Sequence, residues 1–385
     1  MRYILQHTEN IISNYDGKLP LAHFLKNHFR QNHKLGSRDR RLISEMVYSY
    51  YRCAKGLSDE LSLAEKIAVC LFLCGTENRH ALSFIDENLR DSVSLSIEVK
   101  TQLLAEKSIS FRHENIFPFD IDFSEGISKD EWIMSLLQQP GLFIRMRKDQ
   151  GKTKAILKEH NIPFDEINND CLSLPNGAAI DKILPPDTYV VQDLSSQTTG
   201  TYFHPQKGES WYDCCSGAGG KSLLLKDIEP NVQLTVSDKR DTILHNLKER
   251  FKLYGHKLPE AIVADVSNAA QIQEKLGSRQ FDNIICDVPC SGSGTWARTP
   301  EQAYFFDAEK VTQFHQLQTS IAVNAAKYLK PGGKLFYITC SVFAAENEKV
   351  VAEIANPTGL QIKSMQLING ISKHADCMFI SILEK

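Results

Sequence analysis

Asp213-Cys214-Cys215-Ser216-Gly217-Ala218-Gly219-Gly220-Lys221-Ser222, running straight into Leu223-Leu224-Leu225, is the stretch on which the reading of this chain turns. An apolar run, Trp211–Cys214, reads as a strand before it, and a helical pattern follows. Glycines at such a turn let the backbone approach a ligand closely, and the helix N-terminus behind them favours negative charge. Two common loops do not fit. A P-loop would need glycine at position 215, where Cys215 stands, and a dinucleotide loop would need its third glycine at Ser222. A nucleoside cofactor without a pyrophosphate fits best, and S-adenosylmethionine is such a molecule. A purely structural glycine turn is the competing reading.

The surroundings favour the cofactor. From Tyr189 onward short apolar runs alternate with helical stretches, which predicts a mostly parallel sheet with helices on both faces. Strands are expected at Trp211–Cys214, Leu234–Asp238, Ala261–Asp265, Asn283–Asp287, Lys334–Thr339 and Met378–Leu383. Three of them end on Asp238, Asp265 and Asp287, so three carboxylates would line the crevice outside the strands' carboxyl ends. Asp238, about two dozen residues beyond Asp213, can take both ribose hydroxyls, and Asp265 can reach an adenine amino group.

Upstream the pattern is different. Residues 1–125 read as a helical domain, with Ser37 as an N-cap and apolar residues at Leu42, Met46, Val47 and Tyr50. An acidic linker from Phe117 to Gly126 leads to a small α+β unit over 126–185. Its expected parts are a helix from Lys129 to Gln139, a strand at Leu142–Arg145 and a helix at Lys152–His160. The catalytic domain would then be 186–385. At 385 residues, 42% hydrophobic and 24% charged, the chain is neither disordered nor repetitive. It has no membrane-length apolar run, and its N-terminus lacks a signal-peptide core, so a cytoplasmic protein is expected.

Net charge is −3, yet its distribution is uneven. Residues 1–55 carry ten Lys/Arg against four acids, and residues 141–160 carry six against two. Basic segments beside an acidic unit are expected of a protein that grips phosphates locally. The alternative is solvated helix faces.

Ten cysteines in a cytosolic chain are not expected to form disulfides, and no ligand spacing for a metal is present. Most read as small buried hydrophobes. Cys290, in Asp287-Val288-Pro289-Cys290-Ser291-Gly292-Ser293-Gly294, and Cys340, in Thr339-Cys340-Ser341, differ: each ends a strand among small polar residues on the cofactor side. A methyl donor beside a strand-end thiol suggests a particular chemistry. Carbon 5 of a pyrimidine is too weak a nucleophile to take a sulfonium methyl directly. Addition of a thiolate to carbon 6 makes the ring enamine-like and carbon 5 reactive. Asp287 is the group assigned to ring nitrogen 3, where a proton or hydrogen bond assists the addition.

These motifs resemble, in order, those of the RsmB/Sun-type RNA cytosine-5 methyltransferases. The resemblance rests on Asp213-x-Cys215-x-x-x-Gly219-Gly220-Lys221, Asp287-x-Pro289-Cys290-Ser291-Gly292-x-Gly294 with Arg298-x-Pro300-Glu301, Lys330-Pro331-Gly332-Gly333, and Thr339-Cys340-Ser341 with Glu346-Asn347-Glu348. Val191–Gln197 is similar to the family's lead-in segment, and Asp376–Ile380 to its last strand. The resemblance implies a Rossmann-like S-adenosylmethionine-dependent domain. It implies Cys340 as the nucleophile and Cys290 as the residue assisting product release, unlike DNA cytosine methyltransferases, where the Pro-Cys cysteine attacks. The implied cofactor residues are Cys215, Ser216, Gly217, Ala218, Gly219, Gly220 and Lys221, with Asp238, Asp265 and Asp287. A ferredoxin-like unit before the catalytic domain and a NusB-like helical domain, of which Arg38–Arg52 carries a trace, are implied too. Departures are Ala218 for a usual proline, Arg145-Met146-Arg147 for Arg-x-Asn, and Ala344-Ala345 for Pro-Glu.

The expected function is therefore formation of 5-methylcytosine in RNA, most of all 16S ribosomal RNA, by a monomer without metal. Transfer RNA as substrate and a catalytically inactive RNA-binding assembly factor are the alternatives. Methylation of an amino nitrogen is disfavoured, because Asp287-Val288-Pro289-Cys290 lacks the aromatic residue of the usual amine clamp.

Overall fold

Trp211 and Tyr212 are neighbours in sequence and lie in the apolar cores on opposite faces of one sheet. Trp211 stacks on Phe336 with ring centroids 5.4 Å apart, and Tyr212 stacks on Phe281 at 5.0 Å. Strand alternation produces this division, and burying such rings is worth about 3–5 kcal/mol each by truncation to alanine.

The computed structural model describes residues 2–385. Four strands, β1 (Leu142–Met146), β2 (Asp165–Glu166), β3 (Cys171–Leu174) and β4 (Tyr189–Val191), form an antiparallel sheet in the order β2-β3-β1-β4. The helix Gln150–Glu159 lies between β1 and β2 in sequence, and its Leu157 joins the small sheet's core.

The larger sheet comprises β5 (Ser210–Asp213), β6 (Gln233–Asp238), β7 (Glu260–Val263), β8 (Phe281–Asp287), β9 (Leu329–Thr339), β10 (Gln361–Asn369) and β11 (Cys377–Glu384). Its order is β10-β11-β9-β8-β5-β6-β7, parallel from β9 to β7, with β11 and β10 antiparallel at one edge. The helices Gly220–Ile228 and Asp241–Leu253 cover one face through Leu223, Leu244, Leu247 and Phe251. The helices Ala269–Leu276, Glu309–Ala326 and Glu348–Thr358 cover the other through Ile272, Ile321, Ala325 and Val350. Strand order reverses on either side of β5, so the crevice at its carboxyl end is the natural ligand position. The expected strands are present, with Asp265 two residues past the end of β7 rather than on it. β10 was not foreseen.

The chain divides into two compact units whose bounds differ from the three expected segments. One holds residues up to Ile121, then Ser128–Gln139 and Thr295–Asp307; the other holds Asp122–Ile127, Pro140–Gly294 and Ala308–Lys385. The helical unit is thus assembled from three stretches. Its helices include Arg2–Asn14, Leu21–Gln31, Ser37–Cys53 and Leu63–Leu73. Ser37 is the first residue of its helix rather than the cap: Gly36 caps it, and its N–H donates to Asp39 Oδ2 at 3.1 Å. Aromatic packing binds the late stretch into this unit. Trp296 lies 5.6 Å from Trp132 and 6.0 Å from Phe117, Tyr304 lies 5.0 Å from Tyr51, and Phe305 lies 5.5 Å from Tyr15. Buried Glu301 accepts the Leu21 N–H at 3.2 Å.

The small sheet belongs to the catalytic unit, and the expected linker is partly absorbed there, with Phe123 bridging to Phe343. A buried ion cluster ties the small sheet to the helix behind the glycine loop. Arg145 Nη1 meets Asp227 Oδ2 at 2.7 Å, Arg147 Nη2 meets Oδ1 at 2.7 Å, and His256 Nε2 also lies 2.7 Å from Oδ1. Burial alone would raise the Asp227 carboxyl, but hydrogen bonds from His256 and Arg147 and the Arg145 charge hold it well below the usual carboxylate range.

Candidate active site

The glycine loop takes backbone conformations that only some residues tolerate. Gly217 and Gly219 have φ of +52° and +81°. A Cβ at Gly219 would also sit 2.9 Å from Leu247, so glycine is required there both by conformation and by packing. The Gly217 N–H donates to Asp238 Oδ2 at 3.1 Å, which joins the loop to the end of β6. Ser216 turns inward, its N–H and hydroxyl donating to the Ser237 carbonyl at 2.9 and 3.1 Å. Ala218 presents its carbonyl to Arg250 at 2.7 Å, and Gly220 opens the helix.

A cavity of about 390 Å³ opens beside this loop at the carboxyl ends of β5, β6, β8 and β9. Cys215, Asp238, Asp265, Asp287, Cys290 and Cys340 all line it, and Val266, Leu317 and Ile321 supply an apolar side. Six residues singled out in sequence thus meet in one place. Of the predicted loop residues only Cys215 is among its walls; Ser216, Gly217, Ala218, Gly219, Gly220 and Lys221 are not. Lys221 is buried, donates to Ser196 Oγ at 2.9 Å and reaches Asp287 Oδ2 at 3.4 Å. Its ammonium braces the Asp287 carboxylate from behind.

Charge around the cavity is tightly arranged. Arg240 donates to Asp238 through its N–H at 2.9 Å and through Nε at 3.0 Å. Burial would raise Asp238, but the Arg240 hydrogen bonds outweigh it and hold the carboxyl below its ordinary value. Asp265 Oδ1 accepts the Ser267 N–H at 3.0 Å and its hydroxyl at 2.6 Å, fixing the orientation of that carboxylate. Asp213 is fully buried, accepts the Ser222 hydroxyl at 2.6 Å, and has a second oxygen without a hydrogen-bond partner. Burial pushes its carboxyl up to about 7, against the pull of Ser222.

The two thiols meet across neighbouring strands. Cys290 Sγ lies 3.3 Å from Cys340 Sγ. That contact, together with burial, pushes the Cys290 thiol well above its ordinary value. The Gly294 N–H donates to the Cys340 carbonyl at 2.9 Å, and a Cβ at Gly294 would sit 2.3 Å from the Cys377 carbonyl. Only glycine lets the Cys290 loop lie this close to β9 and β11.

The donor set suits a nucleoside cofactor carrying a sulfonium. The cavity combines a carboxylate at the end of β6 for ribose hydroxyls, another after β7, and apolar walls for a base. Sequence reasoning missed Lys239 and Arg240, which line the cavity with Asp238. It quoted Glu346 without a role. Arg298-Thr299-Pro300-Glu301, read as part of the same motif, lies in the stretch belonging to the helical unit. Among the described residues no cluster with metal-ligating composition occurs, and no helix is long and apolar enough to cross a membrane.

The sheet order, with a cavity at its switch point, defines a Rossmann-like α/β fold of the kind that binds nucleoside cofactors. Residues 200–376 match the family described as 16S rRNA methyltransferase RsmB/F. Ribosomal RNA small subunit methyltransferase B of Shewanella oneidensis is 32% identical over 228 residues, covering 58% of this chain and 52% of that protein. The protein of the same description from Enterobacter sp. (strain 638) is 33% identical over 168 residues, covering 44% of this chain and 38% of that one. The chain thus spans about half or less of the curated relatives it matches. Among solved structures, PH0851 superposes with a TM-score of 0.70 over 95% of both chains at 20% identity. NSun6 from Pyrococcus horikoshii with SFG superposes with a TM-score of 0.58 over 66% of this chain and 94% of that one at 16% identity. Both likenesses are of fold.

Proposed function

We propose that this protein methylates carbon 5 of cytosine in RNA, with 16S ribosomal RNA as substrate, through a covalent adduct between Cys340 and carbon 6 of the base. The observation that carries the reading is the pair of thiols 3.3 Å apart in the cavity lining, delivered by adjacent parallel strands. A methyltransferase acting on oxygen or nitrogen has no use for a second thiol beside the first.

S-adenosylmethionine, when bound, supplies an electrophilic methyl group, and Asp238, Asp265 and the glycine loop would hold it. Cys340 adds as thiolate to carbon 6, and Asp287 holds a proton at ring nitrogen 3, so the ring's negative charge is stabilised as it forms. Lys221 keeps Asp287 in place. Once carbon 5 is methylated, Cys290 takes the carbon 5 proton and the bond from Cys340 to carbon 6 breaks, which restores the aromatic ring. A Cys290 thiol kept protonated by its neighbour and by burial must first give its proton up to solvent before its thiolate can serve as base, and the leaving Cys340 thiolate then takes up a proton in turn.

Methyl transfer from labelled cofactor to RNA tests this with wild type, Cys340→Ala and Cys290→Ala. Cys340→Ala is expected to lose turnover and adduct together. Cys290→Ala is expected to accumulate a protein–RNA adduct stable to denaturing electrophoresis. Turnover retained without Cys340 would refute the nucleophile, and no adduct without Cys290 would refute the release role. Bisulfite mapping of ribosomal RNA from a deletion strain checks the substrate: one cytosine should lose its methyl group.

A further inference from the structure

Glu346 is wholly buried, and every donor recorded at its carboxylate is neutral. Its Oε1 accepts the Ser291 N–H at 2.8 Å and the Gln318 amide at 3.0 Å. Its Oε2 accepts the Ser291 and Ser341 hydroxyls, each at 2.5 Å. Ser291 directly follows Cys290, and Ser341 directly follows Cys340. Gln318 donates in addition to the carbonyl of Pro289, the residue before Cys290, at 2.9 Å. The carboxylate therefore binds the chain just past both thiols, and the Gln318 amide that it holds binds the chain just before one of them. Its own carbonyl accepts the Tyr337 hydroxyl at 2.6 Å, which anchors it to β9.

A buried carboxylate is expensive unless its hydrogen bonds are complete, so packing alone does not account for it. We infer that Glu346 is a positioning residue that sets the Cys290 and Cys340 loops at reacting distance from each other and from the base. The inference rests on the roles proposed above for the two thiols. A neutral amide cannot substitute fully. In Glu346→Gln, with the amide oxygen toward Ser291 N–H and Gln318, the new NH₂ would face two hydroxyls that now donate, and both serines would have to reorient.

The experiment compares wild type, Glu346→Gln and the double variant Ser291→Ala/Ser341→Ala, which keeps the carboxylate and removes the hydroxyls. The probe is in vitro transcribed 16S ribosomal RNA containing 5-fluorocytidine, whose carbon 5 carries no proton to lose, so the adduct persists. Glu346→Gln is expected to keep its melting temperature and cofactor affinity near wild type. Its rate of adduct formation at saturating RNA should fall roughly a hundredfold, the order expected from misplacement by about 1 Å. The double variant should slow likewise.

A second readout is independent of activity. In glutathione redox buffer the two thiols are oxidised together, oxidised glutathione being reduced to two equivalents of the thiol as the Cys290–Cys340 disulfide forms. The equilibrium constant for that pair, read by peptide mass after alkylation, should drop at least tenfold in Glu346→Gln. An adduct rate and a disulfide constant within threefold of wild type in folded Glu346→Gln would overturn the inference. So would losses in all variants that merely track lost cofactor binding. Adduct formation by Cys340→Ser would instead overturn the nucleophile assignment.

Discussion

Asp213 shows how one buried side chain can govern a pH response. Its carboxyl is raised to about 7 by burial, so the folded state favours the protonated form over a range where the unfolded chain, near 3.8, has already ionised. The stability it contributes is complete below about pH 4 and is lost as pH rises through 7. Asp213→Asn removes that dependence. Between pH 5 and 8, wild type should lose roughly 2–3 kcal/mol more than the variant, as measured by urea unfolding at each pH. Asp213 was legible in sequence as a strand residue and as a motif residue, but its burial was not, because that depends on what β6 and β8 place beside it. Glu346 was hidden for the same reason. An acid in the Glu346-Asn347-Glu348 run looks solvated until the tertiary fold brings Ser291, Ser341 and Gln318 around Glu346.

At the level of elements, Asp227 decides how the small sheet is fastened. Asp227→Ala would leave Arg145 and Arg147, with side chains 9% and 6% exposed, without their counter-charge. The expected cost is about 3–5 kcal/mol, measured as a lower denaturation midpoint. The same cluster revises the charge reading. Six basic residues between 141 and 160 suggested a phosphate grip, yet Arg145 and Arg147 pair with Asp227, Lys148 pairs with Asp187 and Lys154 pairs with Glu166. A count along the chain cannot tell a cation already engaged by a carboxylate from one left exposed, as Lys152 and Lys158 are. Most strands of the larger sheet were readable because each is an apolar run ended by an acid or a small polar motif. β10 was not, since Gln361–Gln366 are exposed and a register shift between Ile362 and Ser364 breaks its alternation.

For the molecule as a whole, the proposed RNA contacts are not confined to Lys152 and Lys158 of that run, because a larger set of exposed cations lies on the helical unit. Lys26, Arg30, Lys34, Arg38 and Arg41 are all exposed there. Replacing any one that meets a phosphate should flatten the plot of log affinity against log salt by about 0.7, whereas Arg145→Ala should act through stability instead. Filter binding across a salt series checks both. The three-part division expected from composition did not anticipate that Thr295–Asp307 returns to the helical unit, because its aromatic residues carry no mark of which core they enter.

That return has a consequence in time. When ribosomal synthesis passes Gln139, the helical unit still lacks its last stretch, which is complete only at Asp307, roughly 170 residues later. At ordinary elongation speed the wait is roughly ten to thirty seconds. Throughout it Tyr15, Tyr51, Phe117 and Trp132 lack the rings of Trp296, Tyr304 and Phe305, and the Leu21 N–H lacks the Glu301 carboxylate. Of the two units, the one begun earlier is held open for the longer time, and its core closes only after the Cys290 loop has already been synthesised.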